Sequence, residues 1–236
     1  GFTDPMRTAL AHERDDHSRT FRREHAGMAS EVDLHFTLAG ARATPNTVWS
    51  RLSARTDDLE VADERVRVLS VPARAMHMAL HAAQDGRDTR QPIDDLSRAL
   101  TGLDETTWRA ALGLARDIDA TAAFAAGLER LAAGQVLLAQ LDARLSSGAY
   151  ERLRGGTPPP MSLGVARLIE RGHRRGLLRE LAREVVPTPA FMRTWSPLAQ
   201  RGRVGLAAAY LWRPVWLLVR LGPAVRAYWR ARRTGS

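Results

Sequence analysis

Val32-Asp33-Leu34-His35, continued by Phe36-Thr37-Leu38, is the stretch on which the reading of this chain turns. Apolar and polar residues alternate there, which is the period-2 signature of a strand. The spacing predicts a strand over 31–39, its apolar positions burying one face while Asp33 and His35 share the other. The two polar side chains would then stand roughly 6.5–7 Å apart along the strand. A carboxylate on a strand face with a second polar group beside it is a common way to present a metal ligand.

Working outward, residues 5–26 are polar with scattered apolar positions and predict a loop or strand followed by a short helix. A helix is expected over 46–56, with Asn46 as N-cap and Trp49 and Leu52 as its apolar positions. Residues 59–71 alternate around Asp63-Glu64 and predict a hairpin or strand pair. From Pro72 the period turns helical, with helices near 72–86, 92–102, 105–117, 119–133 and 134–147 and with Gly86, Gly102 and Gly148 at or past their ends. Gly155-Gly156-Thr157-Pro158-Pro159-Pro160 reads as a linker. Beyond it, helices are expected near 161–175, 176–185 and 197–233, the last broken by Pro214 and Pro223. The fold class expected is α+β and predominantly α-helical, a remnant of a small mixed sheet followed by a helical domain. The domains expected are 1–71, 72–150, a linker over 151–160, and a basic, Trp/Leu-rich helical region over 161–236.

Composition sets the outer limits. A chain of 236 residues, 44% apolar, suits one large globular domain or one and a half. It has no Cys, which excludes disulfides and thiolate zinc sites. It also has no Lys: all 35 basic residues are Arg, which a GC-rich genome explains. Charge is uneven. Residues 1–150 hold 18 Arg against 22 acids, and residues 151–236 hold 17 Arg against 4 acids, so the net charges are −4 and +13. That asymmetry points to an anionic partner for the C-terminal third: nucleotide, nucleic acid or membrane surface.

Two further segments keep order with the opening one: His77-Met78-Ala79-Leu80-His81-Ala82-Ala83, after Val71-Pro72-Ala73, and Ile93-Asp94-Asp95-Leu96. Together the three resemble a family of uncharacterised bacterial nucleotidyltransferases with the polymerase-β-like fold. That family pairs a hydrophobic-Asp-Leu-His strand with a helix bearing Leu-x-x-His-Ala and a following helix opened by apolar-Asp-Leu. The resemblance spans roughly Gly1 to Leu141. It implies transfer of a nucleoside monophosphate from an NTP to an unknown acceptor, with Mg²⁺ or Mn²⁺ as cofactor. Asp33 would be the third catalytic carboxylate and a metal ligand. His35, His81 and Asp95 would be substrate-binding residues, with structural roles open for each: His35 orienting Asp33, His81 facing the cleft or tying the helical domain to the sheet, Asp95 capping its helix or pairing with His81. The family's Gly-Ser turn and Asp-x-Asp strand do not precede Asp33, and the chain opens on Gly1-Phe2. The expectation is a C-terminal piece of a longer protein, lacking on the order of 60–100 residues and inactive alone.

Two lookalikes are set aside. Asp117-Ile118-Asp119 spells Asp-x-Asp, but its neighbours read as helix, where carboxylates at i and i+2 diverge by about 200°. His77 and His81 at i and i+4 could chelate zinc, but position 78 is Met and no third ligand is evident. The C-terminal stretch 204–229 is rich in Trp, Tyr and Leu and is interrupted by Arg213, Arg220 and Arg226. Two Pro and the internal Arg argue against a membrane span. Packing on its own domain, lying on an anionic membrane surface through 197–233, and contacting a partner or nucleic acid all stay open. A non-catalytic adaptor or a peripheral membrane protein is therefore the alternative to an enzyme. The expected location is cytoplasmic, or peripheral at the inner face of the membrane.

Overall fold

A computed structural model describes residues 18–25, 28–85, 89–142, 144–171 and 185–234. The chain is α+β and predominantly helical, its described strands forming two two-stranded sheets toward the N-terminal end. It divides into two compact units, one built on His35–Gly156 and the other on Gly1–Leu34 with Thr157–Thr234. The boundary expected between residues 71 and 72 falls inside the first of these.

The first unit opens with helix α1, Pro45–Ser53. Its cap is Thr44 rather than the expected Asn46: the Thr44 hydroxyl accepts from the Thr47 N–H at 3.3 Å, and Pro45 opens the helix where no N–H is needed. Val48 and Leu52, one turn apart, are buried, whereas Trp49, a hundred degrees round, is 72% exposed. Strands β3, Thr56–Val61, and β4, Glu64–Leu69, form the expected hairpin, antiparallel with Thr56 opposite Leu69 and Val61 opposite Glu64. The two-residue turn is Ala62-Asp63, both left-handed at φ 49° and 66°, the geometry that matches the strands' twist.

Helix α2, Val71–Asp85, is the centre of this unit, with Ala73, Ala75, Met76, Ala79, Leu80 and Ala82 buried. Helices α3 (Gln91–Gly102), α4 (Glu105–Asp117) and α5 (Thr121–Leu128) pack on it. Small residues allow the α2–α5 approach: a Cβ built on Gly127 would stand 2.6 Å from the Ala79 carbonyl carbon. Trp108 and Phe124 fill the space beside them, ring centroids 6.2 Å apart. Asp104 caps α4 by accepting from the Thr107 N–H at 2.7 Å. Asp117-Ile118-Asp119 closes α4, with Ile118 buried as the cap residue and Asp119 left-handed at φ 52°, so α5 starts only at Thr121.

Helix α6, Ala132–Leu141, is shorter than the 134–147 expected. Asp142 leaves the helical region, pairs with Arg116 at 3.0 Å and accepts from the Arg144 N–H. Residues 149–155, part of which was expected as linker, form helix α7, Ala149–Gly155, with Leu153 and Glu151 buried.

In the second unit, β1 (Ser18–His25) pairs with β2 (Met28–His35), whose last residue belongs to the first unit. Residues 18–25 are strand where a short helix was expected; the earlier part of that expectation lies outside the described residues. Every residue of β2 is exposed, Val32 at 50% and Leu34 at 59%. The expectation that one face is buried is therefore wrong: a two-stranded ribbon has two faces to cover, and no layer of described residues covers either.

Helix α8 is Ser162–Arg171. The helix expected over 176–185 lies, but for its last residue, outside the described residues. Thr188 caps a helix the sequence reading missed, α9, Pro189–Trp195, which leads through a 3₁₀ turn, Pro197–Gln200, into α10, Gly202–Arg233. Pro214 and Pro223 do not break α10. Each removes one N–H, those that would bond the Tyr210 and Val219 carbonyls, and the rest of the ladder continues across the gap. Gly205, Ala209, Arg213, Ala224 and Tyr228 are the buried face of α10. Arg213, 4% exposed, lies over the rings of Phe191 (5.0 Å) and Trp195 (4.9 Å). The Tyr210 hydroxyl donates to the Pro187 carbonyl at 2.6 Å. By length and composition alone, α10 is also long and apolar enough to cross a membrane.

Candidate functional site

Asp33 and His35 share one face of β2 by strand alternation, and both are exposed. His35 ends the strand, and its ring meets His77 of α2 edge-on, centroids 6.4 Å apart. His77 in turn stacks on His81, centroids 6.0 Å apart and planes 19° from parallel. The His81 Nε2 lies 3.0 Å from the Asp85 carboxylate. Residues 77, 81 and 85 are one helical turn apart each, so they rise in a column on one face of α2. The result is a row of three imidazoles running from the end of β2 to a carboxylate near the end of α2. His77, set aside at the sequence level as half of a zinc pair, is the middle of this row. The signal for it was in the sequence: His, His and Asp spaced four apart.

Asp95 is placed elsewhere. Arg90 stands at the N-cap of α3 without a side-chain cap bond, so Asp95 does not cap that helix. Its carboxylate holds Arg98 one turn on, and His81 is held by Asp85. The expected pairing of Asp95 with His81 is therefore not made. Among the described residues no group of three or more His, Asp or Glu side chains could hold a metal ion. Asp33 is a hard oxygen donor of the kind Mg²⁺ takes, but one carboxylate does not make a two-ion centre, so the described residues do not fit that group by themselves.

A cleft of about 320 Å³ opens beside His35, lined chiefly by Phe36, Leu38, Trp49, Leu52, Arg67 and Leu69. It lies between the end of β2, α1 and the β3–β4 hairpin. Trp49 is the residue the sequence reading misassigned: taken as an inward apolar position, it lines this cleft with most of its surface open. A second hollow, about 240 Å³, holds Glu129, Arg130, Ser147, Glu151 and Arg152. Several of its charged groups are engaged by neighbours: Glu129 accepts from the Ser147 N–H at 2.9 Å, Arg42 lies 3.7 Å from Glu151, and Arg152 donates to the Ser147 carbonyl. It lies where α5 packs against α7.

A family model described as "Uncharacterised nucleotidyltransferase" matches residues 5–133, more than half of the chain. No curated protein and no solved structure matches the chain.

Proposed function

The chain belongs to the uncharacterised nucleotidyltransferase family, and on that premise we propose that it serves the transfer of a nucleoside monophosphate from an NTP to an acceptor hydroxyl. In that reaction the acceptor oxygen bonds to the α-phosphorus, the bond from that phosphorus to the bridging oxygen breaks, and pyrophosphate leaves. The acceptor proton must pass to a base, and the reading gives that role to Asp33, a carboxylate exposed on β2. His35, next on the same face, orients Asp33 or bonds a phosphate oxygen. His77 holds His35 in line, and His81 is held by Asp85 at the far end of the row. Asp95 pairs with Arg98 one turn on along α3, and the reading leaves it a structural role there. The cleft beside His35, with Trp49 at its wall, supports an acceptor site there.

Mg²⁺ or Mn²⁺ is the ion this chemistry uses, and Asp33 would be one of its ligands; the described residues supply no partner cluster, so no step is assigned to it. The family match is the observation that carries this reading. Its test is labelling of a cellular small-molecule pool by the protein with α-³²P NTPs and Mg²⁺. Label that is lost in Asp33→Asn supports the assignment. Label that survives the substitution removes Asp33 from catalysis, and no label from the folded wild type sinks the reading.

A second reading, a non-catalytic adaptor or peripheral membrane protein acting through the C-terminal helices, is favoured by one observation: α10 leaves Val204, Leu211, Leu218 and Val219 open. Nucleic acid is the weaker candidate for that surface. The location proposed is cytoplasmic, or the inner membrane face.

A further inference from the structure

Residues 185–236 contain nine Arg and neither Asp nor Glu. Within them α10 carries two unlike faces. At 100° per residue, Val204, Leu211, Val215, Leu218 and Trp229 fall within about 60° of one another. They are 84%, 79%, 46%, 71% and 45% exposed. The buried residues Gly205, Ala209, Arg213, Ala224 and Tyr228 project on the opposite side. The described residues leave Val204, Leu211 and Leu218 largely open and Val215 and Trp229 about half open. Arg226 and Arg233 flank its C-terminal end, with Arg230 and Arg232 beside them, all exposed or nearly so. Trp212 and Trp229 lie on or beside it, and Arg232 sits 5.3 Å over the Trp229 ring.

An apolar stripe edged by Arg and Trp, on a segment without one acid, is complementary to one surface above others. We propose that α10 is an in-plane anchor for an anionic phospholipid bilayer, its stripe from Val204 to Trp229 set among the acyl chains and its Arg side chains at the phosphates. Trp rings suit that boundary, apolar in body and wet at the N–H.

The buried face decides between lying in the membrane surface and crossing it. Arg213 is sandwiched over Phe191 and Trp195, and Tyr210 is bonded to Pro187. Spanning would strip α9 and the 3₁₀ turn from the helix and leave Arg213 and Arg220 in hydrocarbon. An in-plane helix keeps those contacts and buries only the stripe that is already open. This inference does not rest on nucleotidyl transfer and survives its failure.

The test uses the full chain with phosphatidylcholine vesicles and with vesicles that are roughly one-third phosphatidylglycerol. Co-sedimentation should be at least about tenfold greater with the anionic vesicles and should fall as salt is raised. Lipids brominated near the headgroup should quench Trp emission more than lipids brominated near the chain ends. Leu211→Glu with Leu218→Glu, which touches no buried position, should abolish binding while far-UV circular dichroism stays unchanged. Arg226→Gln with Arg230→Gln should leave weaker, less salt-sensitive binding. Equal sedimentation with both vesicle types, or undiminished binding by the Leu pair, overturns the proposal. So does carbonate-resistant insertion, which would mean a span. A dimer in lipid-free buffer that the Leu pair dissociates, without vesicle binding by the wild type, would assign the stripe to a second copy instead.

Discussion

Gly127→Ala tests the packing at the centre of the His35–Gly156 unit. Two terms oppose each other. Ala in place of Gly inside a helix favours the folded state by about 1 kcal/mol. Against that, the new Cβ would stand 2.6 Å from the Ala79 carbonyl carbon and 3.0 Å from the Ala79 Cα, with the carbonyl oxygen nearer still. Carbon atoms pack at about 3.5–4.0 Å, so α2 and α5 must part by about 1 Å. The atoms in the way are backbone, which cannot rotate aside as a side chain does. Overpacking of this kind costs about 1–3 kcal/mol and occasionally more. The net expectation is a loss of about 1–2 kcal/mol. Gly113, inside α4, is the control, because a Cβ there meets nothing within 4 Å. Gly113→Ala keeps the propensity gain alone and should stabilise by up to about 1 kcal/mol. Urea unfolding followed by far-UV circular dichroism reads both; with a slope of about 2 kcal/mol per molar, Gly127→Ala lowers the midpoint by about 0.5–1 M and Gly113→Ala raises it by about 0.5 M or less. Hydrogen exchange of the α2 amides ties the change to this unit. Midpoints that move the same way, or a stabilising Gly127→Ala, would refute the argument that backbone contact limits the α2–α5 approach.

Further expectations follow from single sites. Trp108 is buried with its indole N–H unpartnered among the described residues; thermal or urea melts should show Trp108→Ala losing about 3–5 kcal/mol and Trp108→Phe less than half of that, since Phe keeps most of the packing and removes the orphan donor. Ala62 sits left-handed at φ 49° in the β3–β4 turn, so Ala62→Asn should stabilise by about 0.5–1 kcal/mol in the same melts. The Thr107 side-chain and backbone hydrogen bonds hold the Asp104 carboxyl below its ordinary range. Its contribution is therefore present above the unfolded-state value and lost as pH falls through the folded one. An acid titration of stability should show wild type losing more than Asp104→Asn below about pH 4, and parallel curves would remove Asp104 as the cause.

Helices α2, α3 and α4 of the first unit were legible because their signals are local, whereas the ends of α5 and α6 and the existence of α7 were not. The helical period from 105 to 117 announces α4, and the alternation about residues 59–71 announces a hairpin whose two-residue turn the structure puts one position earlier. The Val32-Asp33-Leu34-His35 motif was legible as a strand and as a family mark. What it buries was not, because alternation shows that two faces differ and not whether anything lies against either. Trp49 fails for a related reason: an aromatic in an amphipathic window reads as core, and only the cleft shows it as wall. Pro214 and Pro223 read as breaks because the rule weighs one missing hydrogen bond and one clash, not the turns on both sides that hold the helix together. Of the candidate site, the pairing of His35 with His77 could not be read from spacing at all, since it joins residues 42 positions apart. The column of His77, His81 and Asp85 could have been, and only its third member was overlooked.

The absence of acids from residues 185–236 also sets how the two units answer to ionic strength. Arg116–Asp142 and Arg109–Glu105 are opposite-charge pairs on the surface of the first unit, and dissolved ions weaken them. Along α10, Arg226, Arg230 and Arg233 succeed one another at four and three residues with no carboxylate to offset them, a like-charge ladder that strains the helix in dilute buffer. Counterions relieve that repulsion. Added salt thus loosens one part of this protein and consolidates the other, so the buffer in which the first unit is firmest is the one in which the last turns of α10 are most inclined to fray.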